Sequence, residues 1–169
     1  MESLKNLETM VASWYKQVPH LPKNGQKWLA ENAWWLTLIG VILGGLGILS
    51  ALMATMVAGT ILVGVGGAVG AAIGGFAFLA VLASLALGAV EIVIAAVAVM
   101  PLKAMNKKGW SLLFLAALVN VLSILVTFLF YLNVFSLLWS VLMVAVGGYF
   151  LFEVRDYYRT EKEAKKVKA

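Results

Sequence analysis

The stretch from Trp34 to Leu102 constrains this chain most, because its 69 consecutive residues contain one charged side chain, Glu91. A helix that crosses a membrane needs about 20 apolar residues, so this stretch is long enough for at least two spans. The whole chain of 169 residues is 63% hydrophobic and 12% charged, more apolar surface than one soluble core can bury. The sequence therefore predicts an all-α integral membrane protein.

The charged residues divide the chain into three segments. Seven of the eight acidic residues and all thirteen Lys and Arg lie in residues 1–33, 101–109 or 153–169. We predict an amphipathic cytoplasmic or interfacial segment at 1–33, a transmembrane domain at 34–152 and a charged cytoplasmic tail at 153–169, which we expect to continue the last helix. The predicted spans lie at about 34–56, 76–100, 110–132 and 134–152.

The positions of the lysines and arginines favour a four-span helical bundle. Short loops rich in Lys and Arg stay in the cytoplasm, and four spans place every basic residue on that side. Five spans would send Lys5, Lys16, Lys23 and Lys27 across the membrane. We therefore expect both termini to be cytoplasmic, in a plasma or inner membrane.

The glycine-rich segment at 57–75 has no single interpretation from its sequence. It is apolar and contains seven glycines, so a loop, a re-entrant hairpin and an additional span all remain open. Gly66, Gly70 and Gly74 recur at four-residue steps, a spacing that lets helix backbones approach closely in lipid. This spacing favours helix for at least the second half of the segment.

The first 18 residues show the pattern of an amphipathic helix. Apolar side chains recur at three- and four-residue steps, at Leu4, Leu7, Val11, Trp14 and Val18. The helix is predicted to lie on the membrane surface or to pack against the ends of the spans, and the two are compatible. Aromatic side chains at membrane interfaces act as anchors, and the candidates here are Trp14, Trp28, Trp34, Trp35 and Trp110.

Glu91 is the candidate for chemistry inside the membrane, because an ionisable residue in a span is costly without a partner or a bound proton. It lies twelve residues before Lys103, and Asn120 lies twelve residues after Lys108, so the two side chains are at equal depth on adjacent antiparallel helices. We predict a hydrogen bond from Asn120 to Glu91. The predicted polar site consists of Glu91, Asn120, Ser123, Thr127 and Ser84, and we favour a polar clasp between helices over a proton or cation site.

Small residues mark the predicted packing faces of the spans. They are Gly40, Gly44, Gly47, Gly66, Gly70, Gly74, Gly88, Ser136, Ser140 and Gly147. Such faces bring helices together within one bundle or between chains, and we favour packing within the bundle.

Several classes of function lack the residues they need. The chain has no cysteine, its one histidine, His20, has no nearby acidic pair and is expected to be a turn residue, and no metal site or cofactor is predicted. The glycine-rich segment lacks the Lys and Ser or Thr of a phosphate loop, and no nucleophile, base and orienting partner occur together. We expect no catalytic residues and no nucleic-acid binding.

Two functional hypotheses follow from the residues. The first is a non-enzymatic multi-pass membrane protein that acts through helix packing, as an accessory or scaffold subunit or as a small self-associating assembly. Its partners would be the lipid bilayer and either further copies or a larger membrane complex. The alternative is a small oligomeric transporter or channel that uses Glu91 as a proton or cation site.

Overall fold

The computed structural model describes residues 2–158, and these residues form helices without a strand. Helix α1 spans Glu2–Tyr15, α2 spans Lys23–Lys103, α3 spans Lys107–Tyr131 and α4 spans Val134–Glu153. A short 3-10 turn at Arg155–Tyr157 follows α4. Helices α2, α3 and α4 are each long and apolar enough to cross a membrane. The prediction of an all-helical chain with membrane-compatible helices is confirmed.

Helix α2 consists of two arms that meet at Gly67. The Gly67 backbone has φ 54° and ψ −132°, a non-helical conformation that a residue without a Cβ adopts without strain. The first arm comprises residues 23–66 and the second arm residues 68–103. Ile92 of the second arm lies against Gly44 of the first, and Ile48 of the first lies against Gly88 of the second. These two pairs show that the arms run antiparallel, as a helical hairpin.

The hairpin settles the conformation of the glycine-rich segment at 57–75, which we call the hairpin tip. Helix continues on both sides of Gly67, so the backbone of the tip is helical and not an irregular loop. The helix expected in its second half is present. The first arm also begins at Lys23, earlier than the predicted span boundary at Trp34, directly after the extended Pro22.

Two short turns join the remaining helices. At residues 104–106 the Asn106 side chain caps α3 by accepting a hydrogen bond of 2.9 Å from the Lys108 backbone N–H. Asn133 caps α4 in the same way, by accepting a hydrogen bond of 3.0 Å from the Ser136 backbone N–H. The residue before it, Leu132, has a left-handed backbone with φ 47° and turns the chain. Connections this short make α3 antiparallel to both of its neighbours. We call the end of the bundle at residues 103–108 the lysine end.

Helix α3 packs along the second arm of α2, and the α2 hairpin is longer than α3. Near the far end of α3, Thr127 lies 3.3 Å from Ser84, and the rings of Phe130 and Phe76 are 5.9 Å apart. The hairpin tip therefore extends past the ends of α3 and α4. Its apolar side chains are exposed, and Val65 reaches 88%.

The core of the bundle lies at the lysine end, around Trp110. The indole is fully buried, stacks on Phe114 and donates a hydrogen bond of 2.7 Å to the Leu151 carbonyl oxygen. The prediction of Trp110 as an interfacial anchor is wrong, because the ring faces the inside of the bundle. The other buried members of this core are Ala30, Ala98, Leu102, Val154 and Tyr158.

The start of the tail differs from the prediction that it continues α4. The helix ends at Glu153, and the chain turns back so that Tyr158 is buried and its hydroxyl donates 2.9 Å to the Ala30 carbonyl oxygen. Burial raises the Tyr158 pKa to about 12, so the hydroxyl remains a donor across the physiological range. The rest of the predicted helical tail lies outside the described residues.

Helix α1 docks on α4 through one face. The Tyr15 ring stacks on Phe152 with centroids 5.3 Å apart, and its hydroxyl donates 3.0 Å to the Ala145 carbonyl oxygen, directly over Gly148. Glu8 on the same face accepts two hydrogen bonds from Arg155, of 2.6 and 2.8 Å. The alternative in which this helix packs against the ends of the spans is therefore present in the structure.

We expect Gly70→Ala to destabilise the hairpin. A Cβ added to Gly70 would collide with the carbonyl oxygen of Leu62, a backbone atom that cannot move aside without shifting the arm. Overpacking of this kind costs about 1–3 kcal/mol. The midpoint of thermal unfolding in mild detergent would fall. Gly75→Ala is the matched control, because an added Cβ there meets nothing within 4 Å; equal midpoints for the two variants would contradict the packing described.

Candidate functional site

Glu91 and Asn120 meet in the middle of the bundle. Asn120 Nδ2 donates a hydrogen bond of 2.9 Å to Glu91 Oε2, which is the contact expected from the sequence. The turn at residues 104–106 explains it, because a short connection brings positions at equal distance from the turn to the same depth. Both side chains are partly buried. The carboxyl group thus has one fixed polar partner on the neighbouring helix.

The second oxygen of the carboxyl group is available. Within residues 2–158, no side chain or backbone group hydrogen-bonds to Glu91 Oε1. Glu91 and Asn120 both line a cavity of about 680 Å³, whose other walls include residues of the first arm of α2 and of α4. A carboxyl group with one bonded and one free oxygen at a cavity wall can bind a proton, a cation or a polar group of another chain.

The other predicted polar residues divide into two places. Ser84 and Thr127 are within 3.3 Å of each other, and Ser84 also donates 3.1 Å to the Ala80 carbonyl oxygen. They lie two helical turns from Glu91 and Asn120, on the side away from the lysine end. Ser123 joins neither pair; it lines a second cavity, of about 370 Å³, between α3 and α4. Ser136 and Ser140, predicted to mark a packing face, line the same cavity.

The predicted packing glycines also fall into two groups. Gly44, Gly70, Gly74 and Gly88 face the opposite arm of the α2 hairpin, where a Cβ would meet its atoms within 4 Å. These glycines serve packing within the chain. The remaining glycines of the predicted set have no neighbour within 4 Å of an added Cβ, and they are Gly40, Gly47, Gly66 and Gly147.

Gly40, Gly47 and Gly147 share one location. All three line the 680 Å³ cavity, with Gly40 and Gly47 on the first arm and Gly147 on α4. The first arm and α4 thus present bare backbone to the space between them. In lipid, backbone without side chains is the surface that a further helix approaches most closely.

Sequence reasoning missed a cluster of polar groups around one buried carboxylate, Glu153, at the lysine end. The Glu153 side chain is only 3% exposed, and its Oε1 lies 2.5 Å from His20 Nδ1. Its Oε2 accepts a hydrogen bond of 2.8 Å from the Leu21 backbone N–H and one of 2.9 Å from Gln26 Nε2. His20 lies between α1 and α2, as expected of a turn residue, but it also pairs with this acid. Glu153 is 133 residues from His20, so no local spacing announces the contact.

A second ionic contact fixes the same end. Glu8 of α1 bonds Arg155 after α4, and Lys107 Nζ at the start of α3 lies 3.7 Å from the same Glu8 oxygen. Three segments distant in sequence therefore meet at one carboxylate. Together with Glu153, this contact ties α1 and the segment before α2 to the ends of α3 and α4.

The remaining predicted anchors differ in exposure. Trp14 and Trp28 are 62% and 56% exposed, whereas Trp34 and Trp35 are partly buried. Lys103 Nζ lies 4.9 Å from the centre of the Trp34 ring, a cation–π distance. Trp14 and Trp28 keep the exposure that an interfacial anchor needs.

Comparison with protein-family models, with curated proteins and with solved structures gives no match. Within residues 2–158, no three His, Asp or Glu side chains are grouped so that they could hold a metal ion.

Removing the Glu153 carboxylate is expected to release α1 and the turn that follows it. Glu153→Leu would leave the Leu21 N–H and the Gln26 amide without their acceptor, at a cost of about 1–3 kcal/mol. Hydrogen exchange of residues 6–22 in mild detergent should accelerate. Asp156→Asn is the control, because Asp156 is exposed and forms no ion pair with a described residue; unchanged exchange in Glu153→Leu would show that the cluster does not hold this segment.

Proposed function

We propose that the chain is an integral membrane protein with four spans, formed by the two arms of α2, by α3 and by α4, with both termini in the cytoplasm. The contacts of Glu8 support this topology, because they bring α1, the α2–α3 turn and the end of α4 to the lysine end. The lysines at that end would mark the cytoplasmic side. The opposite end, with the hairpin tip and the α3–α4 turn, carries no Lys or Arg.

Helix α1 would lie in the cytoplasmic interface of the bilayer. Its docked face, with Glu8 and Tyr15, is covered by the bundle, and a neighbouring apolar face remains exposed at Leu7, Met10 and Trp14. The remaining face is polar, with Asn6 and Ser13. A helix with one docked, one apolar and one polar face fits a position beside the bundle, with the apolar face in the lipid headgroup region.

The protein acts through helix packing, as an accessory or scaffold subunit or as a self-associating assembly. The cavity between the first arm and α4 carries this proposal, because Gly40, Gly47 and Gly147 line it and none of them is covered by a side chain of the described residues. Internal packing accounts for Gly44 and Gly88 but not for these three. A transmembrane helix from another chain would find close backbone contact here and a polar partner in Glu91.

Filling this cavity is expected to abolish association. Gly47→Leu combined with Gly147→Leu would place two large side chains where the incoming helix must approach. Native mass measurement in mild detergent should show wild-type chains of 18.2 kDa in a heavier complex and the double variant alone. Gly45→Leu is the control, since Gly45 is on the same arm but does not line the cavity. An isolated wild-type chain, or a complex unaffected by the double variant, would contradict the proposal.

A second function is favoured by the free oxygen of Glu91. A small oligomeric transporter or channel could use this carboxyl group to bind a proton or a cation, since it lines a cavity and is held in place by Asn120. The same pair can instead serve as a clasp between the second arm and α3.

Glu91→Gln separates the clasp from the transporter. The glutamine side-chain oxygen can still accept the hydrogen bond from Asn120, so we expect near-normal folding. The amide cannot take up a proton, so proton-coupled flux into liposomes should vanish. Glu31→Gln, at an exposed acid of the first arm, should leave flux unchanged. Flux that persists in Glu91→Gln, or that is absent from the wild type, would exclude transport through this group.

A further inference from the structure

The second cavity collects polar side chains at the end of the bundle opposite the lysine end. On α3, Ser123, Thr127 and Tyr131 recur at four-residue steps and therefore share one face. On α4, Ser136 and Ser140 are also four residues apart, and Asn133 lies in the turn between the helices. All six residues line the cavity. Asn133 caps α4 and Thr127 contacts Ser84, but the other four side chains have no such role in helices this apolar.

The serine hydroxyl groups of this cavity lack protein partners. The side-chain oxygens of Ser123, Ser136 and Ser140 form no hydrogen bond with any described residue. In α2, by contrast, the hydroxyl groups of Thr37, Thr55 and Ser84 each donate a hydrogen bond to the carbonyl oxygen four residues earlier. A hydroxyl group left unpaired in apolar surroundings costs about 1–3 kcal/mol. These three serines therefore call for a polar occupant.

Water fits the size and the chemistry of the cavity. Its volume is about 370 Å³, and a molecule of liquid water takes about 30 Å³, so there is room for about twelve water molecules. The hydroxyl groups on α3 and α4, with Asn133 and Tyr131 at the end opposite the lysine end, supply the two to four hydrogen-bond partners that each ordered water needs. An acyl chain would leave the same hydroxyl groups unpaired.

The second cavity lies next to the cavity that Glu91 lines. Ser123 lines it and Asn120, three residues earlier, lines the 680 Å³ cavity with Glu91. On α4, Ser140 lines the second cavity, and Met143, three residues later, lines the 680 Å³ cavity. Three residues of helix correspond to about 4.5 Å, so less than one turn separates the two cavities on both helices. Thr127 adds a contact to Ser84 on the second arm.

We propose that the cavity between α3 and α4 is a water-filled vestibule that brings protons to Glu91 from the end opposite the lysine end. A proton carried by water would bind the free Oε1 of Glu91 while Asn120 remains bonded to Oε2. This deepens the transporter proposed above by naming the proton as its ligand, and it rests on the proposed spans. The vestibule itself does not depend on whether transport follows.

Single cysteines can test the vestibule directly, because the chain has none of its own. Ser123→Cys and Ser140→Cys are close in size to the native residues. Leu125→Cys and Leu142→Cys are matched controls on the same helices, at side chains that are each 51% exposed on the outside of the bundle. Each variant, in sealed vesicles, would be treated with a membrane-impermeant trimethylammonium methanethiosulfonate from one side at a time. Lys107→Cys identifies the side of the lysine end.

We expect cysteines at 123 and 140 to react from the side opposite Lys107→Cys. They should react at least about tenfold faster than those at 125 and 142, because only a hydrated thiol forms the reactive thiolate readily. Reaction no faster than the controls, or only from the side of Lys107→Cys, would overturn the vestibule. Each variant must elute from size-exclusion chromatography in detergent at the wild-type volume. If Ser123→Cys or Ser140→Cys does not, Ser136→Cys, which is nearer the end opposite the lysine end, replaces it.

The same labelling in a Glu91→Gln background distinguishes the vestibule from transport. Fast labelling that persists there together with loss of proton flux supports both proposals. Fast labelling with no flux from the wild type retains the vestibule and excludes transport. Slow labelling at both serine positions excludes the vestibule, whatever the flux.

Discussion

The close approach of the two arms of α2 is the contact on which the rest of the structure depends. Gly70 admits the Leu62 carbonyl, and Gly44 and Gly88 admit isoleucines of the opposite arm, so two long helices lie side by side. The second arm then forms the surface on which α3 packs. That packing brings Asn120 to Glu91 and leaves the first arm apart from α4, so both the polar pair and the open cavity follow from the hairpin.

At the lysine end the bundle is held by a small apolar core and by ionic contacts. Trp110 and Leu102 form a small dry core there, and the buried Glu153 ties the segment before α2 to the end of α4. Glu8 adds a contact between α1, α3 and the 3-10 turn. Tight packing is concentrated at this end, while most side chains on the outside of the spans are exposed. A surface of that kind suits lipid as the surrounding solvent.

Sequence reasoning succeeded where a single physical rule governs. The long apolar stretch predicts the apolar helices, and equal distance from one turn predicts the Asn120–Glu91 pair. It failed where the contact joins distant segments. Glu153 finds His20 across 133 residues, and Trp110 turns inward because Leu102 and Phe114 surround it rather than lipid. The glycines show the same limit, since one four-residue pattern cannot tell which positions face a neighbour and which face a cavity.

The length of the hairpin sets a condition on the bilayer around it. The second arm runs from Lys103 to Gly67, which is about 54 Å of helix at about 1.5 Å per residue. The hydrocarbon core of an ordinary bilayer is about 30 Å thick. Helices α3 and α4 match that thickness far better, so with the proposed spans the two halves of the bundle would have unequal hydrophobic mismatch. Tilting or local thickening of the bilayer relieves such mismatch, and the lipid would then adjust on the side of the hairpin alone.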